Sequence, residues 1–222
     1  MSSRPAGHGG RWVDVDPIRL ARWIDRFTAR HGTSAATSRD YGILLAAPDG
    51  TTAELHSPPG APAPRDLSEF VAAATAPRRV GLLLARKGAV AVGVAVGETL
   101  ETSKVDTFYV QGRTAAGGWS QQRFARRRDN QAKAATANAV KLAERLLLPE
   151  VGRLTALVCG GDRRRVDTVL ADRRLAPLAQ LRAERLLDVP EPRHAVLVAA
   201  VAAARSVRIL IRETEVDATR ER

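Results

Sequence analysis

The chain has 222 residues, 45% of them hydrophobic, which suffices for one generous domain or two small ones with a buried core. Lys and Arg number 35 against 24 Asp and Glu, and the formal net charge of +11 points to a polyanionic partner, nucleic acid first. No run approaches about eighteen apolar residues, and the opening MSSRPAGHGGRW lacks a signal-peptide core. Neither a membrane partner nor export is therefore expected, and the expected compartment is the cytoplasm.

The first ten residues are polar and Gly-rich and read as a frayed tail. Asp16-Pro17 then reads as an N-cap followed by proline at the first helical position. Ile18, Leu20, Ala21, Ile24 and Phe27 continue with helical spacing to His31-Gly32. Tyr41 to Ala47, the Pro-Asp-Gly turn at 48 to 50 and Thr51 to Leu55 predict a hairpin. A Pro-rich connector over 57 to 65 precedes a short helix around Leu67 to Ala76.

From Arg78 the pattern changes to long strands at Val80 to Ala85, Ala89 to Val96 and Glu101 to Gln111, read as an antiparallel meander. The stretch GRTAAGGWS has no apolar pattern and reads as an exposed loop. A long helix follows over about Gln121 to Leu148. Its predicted inner stripe is Phe124, Arg128, Ala132, Ala135, Ala139, Leu142 and Leu146, and Pro149 ends it.

The rest alternates: strand Leu154 to Cys159, helix Asp162 to Leu170, strand Ala183 to Val189, helix Arg193 to Ala204, strand Val207 to Ile211. Alternation of this kind predicts an α/β fold, a mixed β-sheet flanked by helices. The expected organisation is a disordered tail at 1–10, a helix-plus-hairpin extension at 11–77 packed on the core, a main domain at 78–213 and a charged tail at 214–222.

Titratable groups offer little chemistry. The four histidines, His8, His31, His56 and His194, have no metal-ligand spacing and read as surface residues. The lone Cys159 reads as a small buried hydrophobe. The Gly-rich phosphate and dinucleotide signatures and the nucleophile elbow do not occur, so no cofactor and no metal is expected.

What stands out is residues 112 to 131, GRTAAGGWSQQRFARRRDNQ, a glycine loop that carries two adjacent glutamines into an Arg-rich helix. Arg123, Arg126, Arg127, Asn130 and Lys133 share the sides of that helix left free by its apolar positions. Four cations in the six residues 123 to 128 oppose the helix dipole, whose N-terminal end favours anions. An anionic partner resolves the mismatch; a solvated surface helix with a glycine hinge is the plainer alternative. Arg163, Arg164 and Arg165 form a second basic cluster, read as a solvated face ahead of a contact site.

At these residues the sequence resembles a known pattern. Eukaryotic and archaeal class I peptide-chain release factors carry a Gly-Gly-Gln loop leading into a helix that begins Arg-Phe-Ala-Arg. Here Gly117-Gly118 precede Arg123-Phe124-Ala125-Arg126 at the same distance. The Vms-type peptidyl-tRNA hydrolases of ribosome quality control are more similar still. In them the glutamine is shifted along the loop and the helix carries an Arg-Arg-x-Asn element, matched by Arg127-Arg128-Asp129-Asn130. The chain is identified as a member of the bacterial, actinobacterial-type branch of that family, with the resemblance spanning roughly residues 78 to 212. One departure matters: Trp119 holds the position of the release-factor glutamine, so the role passes to Gln121 or Gln122. Gln121 is favoured as the one that can still belong to the loop.

The resemblance implies the fold of the release-factor catalytic domain and hydrolysis of the ester of peptidyl-tRNA on a stalled large ribosomal subunit. Its partners would be that subunit, peptidyl-tRNA and ribosomal RNA. Gly117, Gly118, Trp119 and Ser120 would form the catalytic loop, with Trp119 either stacked on a base or plugged against the protein's own surface. Arg113, Arg123, Arg126, Arg127, Arg128, Asn130 and Lys133 would contact RNA. A tRNA 3′-end endonuclease and a non-catalytic RNA-binding factor are the alternatives.

Overall fold

In a computed structural model of the chain, the structure describes residues 3–6, 9–108 and 120–213, with side chains in the long helix from Asn130 onward. In chain order the elements are β1 (Ser3–Pro5), β2 (Gly10–Val15), α1 (Leu20–His31), β3 (Ala35–Arg39), β4 (Gly42–Ala46), β5 (Thr52–His56) and α2 (Leu67–Thr75). They continue with β6 (Arg79–Ala85), β7 (Ala89–Val96), β8 (Thr99–Thr107), α3 (Ser120–Leu147), β9 (Ala156–Gly161), α4 (Arg163–Leu170), α5 (Ala176–Gln180), β10 (Arg182–Leu187), α6 (His194–Arg205) and β11 (Val207–Arg212). The fold is mixed α/β, with two sheets flanked by helices.

The chain forms two compact units, one built from residues up to Ala76 and from Arg205 on, the other from Pro77 to Ala204. The first contains a six-stranded sheet in the order β1-β2-β11-β5-β4-β3, antiparallel throughout. A single rung across it, Val13, Ile209, Leu55 and Ile43, shows why it holds: all four side chains are buried on one face. Helices α1 and α2 close that face with Leu20, Phe27, Phe70 and Ala74, while Trp23 and Ile24 pack at its border. Polar residues alternate with these apolar ones along β5, whereas in β2 and β11 the opposite face also carries Trp12 and the buried Leu210, which pair with each other.

The helix and hairpin expected in this unit are present. Asp16 accepts from the Ile18 amide at 3.0 Å and opens a short 3₁₀ turn that runs into α1. Ile18 and Ala21, expected inside, are exposed, because the inner face is carried by Leu20, Trp23, Ile24 and Phe27. The hairpin pairs Ala46 with Thr52, and its turn is closed by Asp49, which accepts from the Thr51 amide at 2.9 Å.

Four strands of this sheet, β1, β2, β3 and β11, correct the expectation. The amino-terminal segment, expected to be frayed, carries β1 and the start of β2, and β1 pairs with β2 from Ser3↔Val13 to Pro5↔Arg11. β3 is exposed along its length and so had no apolar signal. β11, expected to end the 78–213 domain, is instead a central strand of this sheet, between β2 and β5. Val207, Ile209 and Ile211 find their apolar partners there.

The second unit contains a five-stranded mixed sheet, β10-β9-β6-β7-β8. β10, β9 and β6 run parallel, and β6, β7 and β8 form the expected antiparallel meander. Both faces are covered. Leu83, Val90, Val92 and Leu157 pack under α3, α4 and α5, whereas Leu82, Leu84, Ala91 and Val158 pack under α6. Burial on two sides explains why β6 and β7 read as nearly unbroken apolar runs. Among the described residues no helix is long and apolar enough to cross a membrane.

Candidate functional site

Helix α3 carries the candidate residues. Its 28 residues span about 42 Å at 1.5 Å per residue. The C-terminal half is anchored by Ala135, Ala139, Val140, Leu142, Ala143 and Leu147, all buried in the core beneath β7 and against α4. The N-terminal half is different. Asn130, Gln131, Ala132, Lys133 and Ala134 are all exposed. At 100° per residue five consecutive positions cover the whole circumference, so no side of the helix is covered at this level. Ala132, expected in the inner stripe, is therefore at the surface, because the packed part of the helix begins at Ala135.

The helix begins at Ser120, so Gln121 and Gln122 both lie in its first turn. Gln121 was expected to remain in the loop; that ground for preferring it over Gln122 falls away. The first turn holds no acidic residue, and the unpaired amides of a helix start carry a partial positive charge. Arg123, Arg126, Arg127 and Arg128 follow within the same helix. Arg113, Gly117, Gly118 and Trp119, and the side chains of 120–129, including Phe124 of the expected stripe, lie outside the described residues.

Of the predicted contact residues, Asn130 and Lys133 are exposed as a binding role requires. Lys133 lines a cleft of about 730 Å³ between α3 and α4, together with Arg164, Arg165 and Arg174. Lys133 and the arginines of 163–165 are thirty residues apart in the chain, and packing of α4 against α3 brings Lys133, Arg164 and Arg165 to one cleft. Arg174 had no signal in the sequence, since its importance lies in contacts to distant residues. It bonds Glu144 of α3 at 3.0 Å and Asp172 at 2.9 Å, tying the cleft floor to the helix. The Arg174 guanidinium holds the Asp172 carboxyl down to about 2.

Asp162 caps α4 by accepting from the Arg165 amide at 3.3 Å. Lys133, Arg164 and Arg165 enter no ion pair among the described residues, and the cleft, lined by four cations against Asp162 and Asp172, keeps an excess of positive charge. Cys159 is buried beneath this region, with the thiol pushed up to about 12 by burial, and fills space as expected. Among the described residues no cluster of three His, Cys, Asp or Glu side chains could hold a metal ion.

The helix is anchored in the core from Ala135 on, is exposed from Asn130 to Ala134, and begins with two carboxamides followed by arginines. The class of protein is the release factors. The chain belongs to the family described as the actinobacteria/chloroflexi VLRF1 release factor, whose family model matches residues 78–210, more than half of the protein. Comparison with curated proteins gives no match. Among solved structures the chain is similar to a protein described as an archaeal protein, at 18% identity and a TM-score of 0.39, over 64% of this chain and 40% of the other. It is also similar to the archaeal translation termination factor aRF1, at 14% identity and a TM-score of 0.40, over 91% of this chain and 68% of the other. The chain thus spans two fifths of the length of the first of these structures.

Proposed function

We propose that the protein hydrolyses the ester of peptidyl-tRNA on a stalled large ribosomal subunit and so releases the nascent peptide. The observation that carries this reading is the exposed stretch Asn130 to Ala134 of α3, with Gln121 and Gln122 in the first turn of the same helix. A glutamine side chain is no general base near neutral pH, but its carbonyl accepts and its amide donates, so it can hold a water in place. The water attacks the ester carbonyl carbon, the bond to the ribose 3′ oxygen breaks, and that oxygen leaves with a proton. The products are a peptide carboxylate and a deacylated tRNA.

Positioning is a large contribution when the reacting atoms are held in near-attack geometry. Backbone amides near the start of α3 supply a complementary one, since a donor to the developing oxyanion is worth about 3 kcal/mol in other enzymes. Ribosomal RNA completes the site, and no cofactor or metal takes part. Lys133, Arg164 and Arg165, with Arg113, Arg123, Arg126, Arg127 and Arg128, neutralise phosphates of tRNA and ribosomal RNA. Trp119 stacks on a nucleobase. The protein acts in the cytoplasm, where these partners are.

The test is release of labelled peptide from peptidyl-tRNA bound to the large subunit. Substituting Gln121 and Gln122 together by Ala is expected to abolish release while subunit binding persists. Undiminished release by the double variant would end the proposal. Recovery of a shortened tRNA that cannot be recharged would instead establish endonuclease chemistry. Binding without turnover of either bond by the wild type would establish a non-catalytic factor.

A further inference from the structure

The first unit bears a basic feature that ester hydrolysis does not use. Arg19, at the N-cap of α1, and Arg22, Arg26 and Arg30 within it recur at intervals of three, four and four. At 100° per residue they fall within a sector of about 80° and extend over about 16 Å, one guanidinium per helical turn. Arg22, Arg26 and Arg30 are exposed. Arg19, Arg22 and Arg26 line a cleft of about 540 Å³, with Trp23 beside them as an apolar wall.

Within the free protein this arrangement is unfavourable. Arg22 and Arg26, and Arg26 and Arg30, are like-charge pairs at i,i+4, an unfavourable arrangement on a helix surface. The nearby carboxylates offset this repulsion only in part. Asp14 and Asp16 line the same cleft, but Asp14 is paired with Arg4 and Asp16 accepts from the Ile18 amide. The exposed Asp25 forms no ion pair with the row among the described residues. None of the four arginines enters an ion pair among the described residues.

We infer that this row binds the phosphodiester backbone of RNA, a second contact in a unit separate from α3. A line of cations at helical-turn spacing matches a linear polyanion with regularly repeated charges better than it matches a compact acidic patch. A lipid surface fits less well, because the apolar face of α1 is spent in the core through Leu20 and Phe27. Interfacial helices need that face for the bilayer. The row lies outside the residues matched by the release-factor family. The inference stands without the ester hydrolysis proposed above, since it concerns binding alone.

The test is a salt series of binding to a labelled A-form RNA hairpin, with the full chain, read by fluorescence anisotropy. Substituting Arg22, Arg26 and Arg30 by Ala is expected to lower the log–log salt slope by about 2.4, at roughly 0.8 for each phosphate no longer neutralised. The corresponding Lys substitutions should keep the wild-type slope, because phosphate neutralisation needs charge more than fork geometry. Thermal melting of each variant accompanies the measurement. If the triple Ala variant melts abnormally, Arg22→Gln and Arg26→Gln singly should each lower the slope by about 0.8. An unchanged slope in normally melting variants would overturn the inference. So would loss of binding to phosphatidylserine vesicles with RNA binding intact. Peptide release reports separately on the glutamines, so either reading can fail alone.

Discussion

Arg79 at the start of β6 donates from Nε to Glu150 Oε2 at 2.8 Å, and a second nitrogen of the same guanidinium lies 2.8 Å from Glu101 of β8. One half-buried side chain thereby joins the meander to the segment just after α3, the helix whose far end carries the glutamines. The Arg79 backbone carbonyl also accepts from the Thr155 amide at 2.9 Å, at the entry to β9. Glu150→Ala is expected to lower the melting temperature and to loosen the end of α3. Hydrogen exchange of amides near Leu147 checks this, and unchanged protection there would show the pair to be incidental.

Leu147 is fully buried where α3 meets the sheet, and its side chain lies 3.3 Å from where a β-carbon on Gly81 would sit, tight packing that leaves little free space there. Leu147→Ala should destabilise the protein by about 2–5 kcal/mol, through lost burial and the cavity left behind. Chemical denaturation measures the loss.

Gly42 sits at the start of β4 with φ +142, and a β-carbon there would collide with the Leu55 carbonyl oxygen. Gly42→Ala should cost about 1–3 kcal/mol, because both the backbone conformation and the strand spacing must yield. Gly152, around which a β-carbon meets nothing within 4 Å, is the control. Its replacement by Ala should stay within about 0.5 kcal/mol.

Cys159 is 1% exposed, and burial pushes its thiol up to about 12. In the folded state labelling by a thiol reagent should be negligible at neutral pH and should appear together with unfolding. The sign of the pH effect follows from linkage. The unfolded thiol ionises near 8.5, so its contribution is complete below that pH and is lost as pH rises from there toward 12. Cys159→Ala should flatten that alkaline loss in a series of denaturation midpoints.

Gln121 and Gln122 share the first turn of α3, so loop membership cannot separate them. Gln121 is the nearer to the glycine loop, and its replacement by Ala is expected to reduce peptide release at least tenfold more than that of Gln122. Equal losses would make the two a joint positioning device.

Local pattern was enough for most elements. The Asp16-Pro17 helix start, the Pro-Asp-Gly hairpin, the Arg79 to Thr107 meander and the alternation after Pro149 were legible because turn chemistry and apolar periodicity act over a few residues. Cys159 was legible as a core residue for the same reason. β3 was not, since a wholly exposed edge strand leaves no alternation to read.

By itself, then, the sequence determined the longer helices, most of the strands, the excess of positive charge and the glutamine-arginine motif, all of them short-range properties. Tertiary structure alone decided that β11 crosses to the first sheet to pair Ile209 with Val13, and that Lys133 shares a cleft with Arg164 and Arg165. It also decided that α3 stands uncovered from Asn130 to Ala134. Each of these depends on which distant apolar surfaces fit together, and that choice is a property of the whole packed chain, so no single segment contains it.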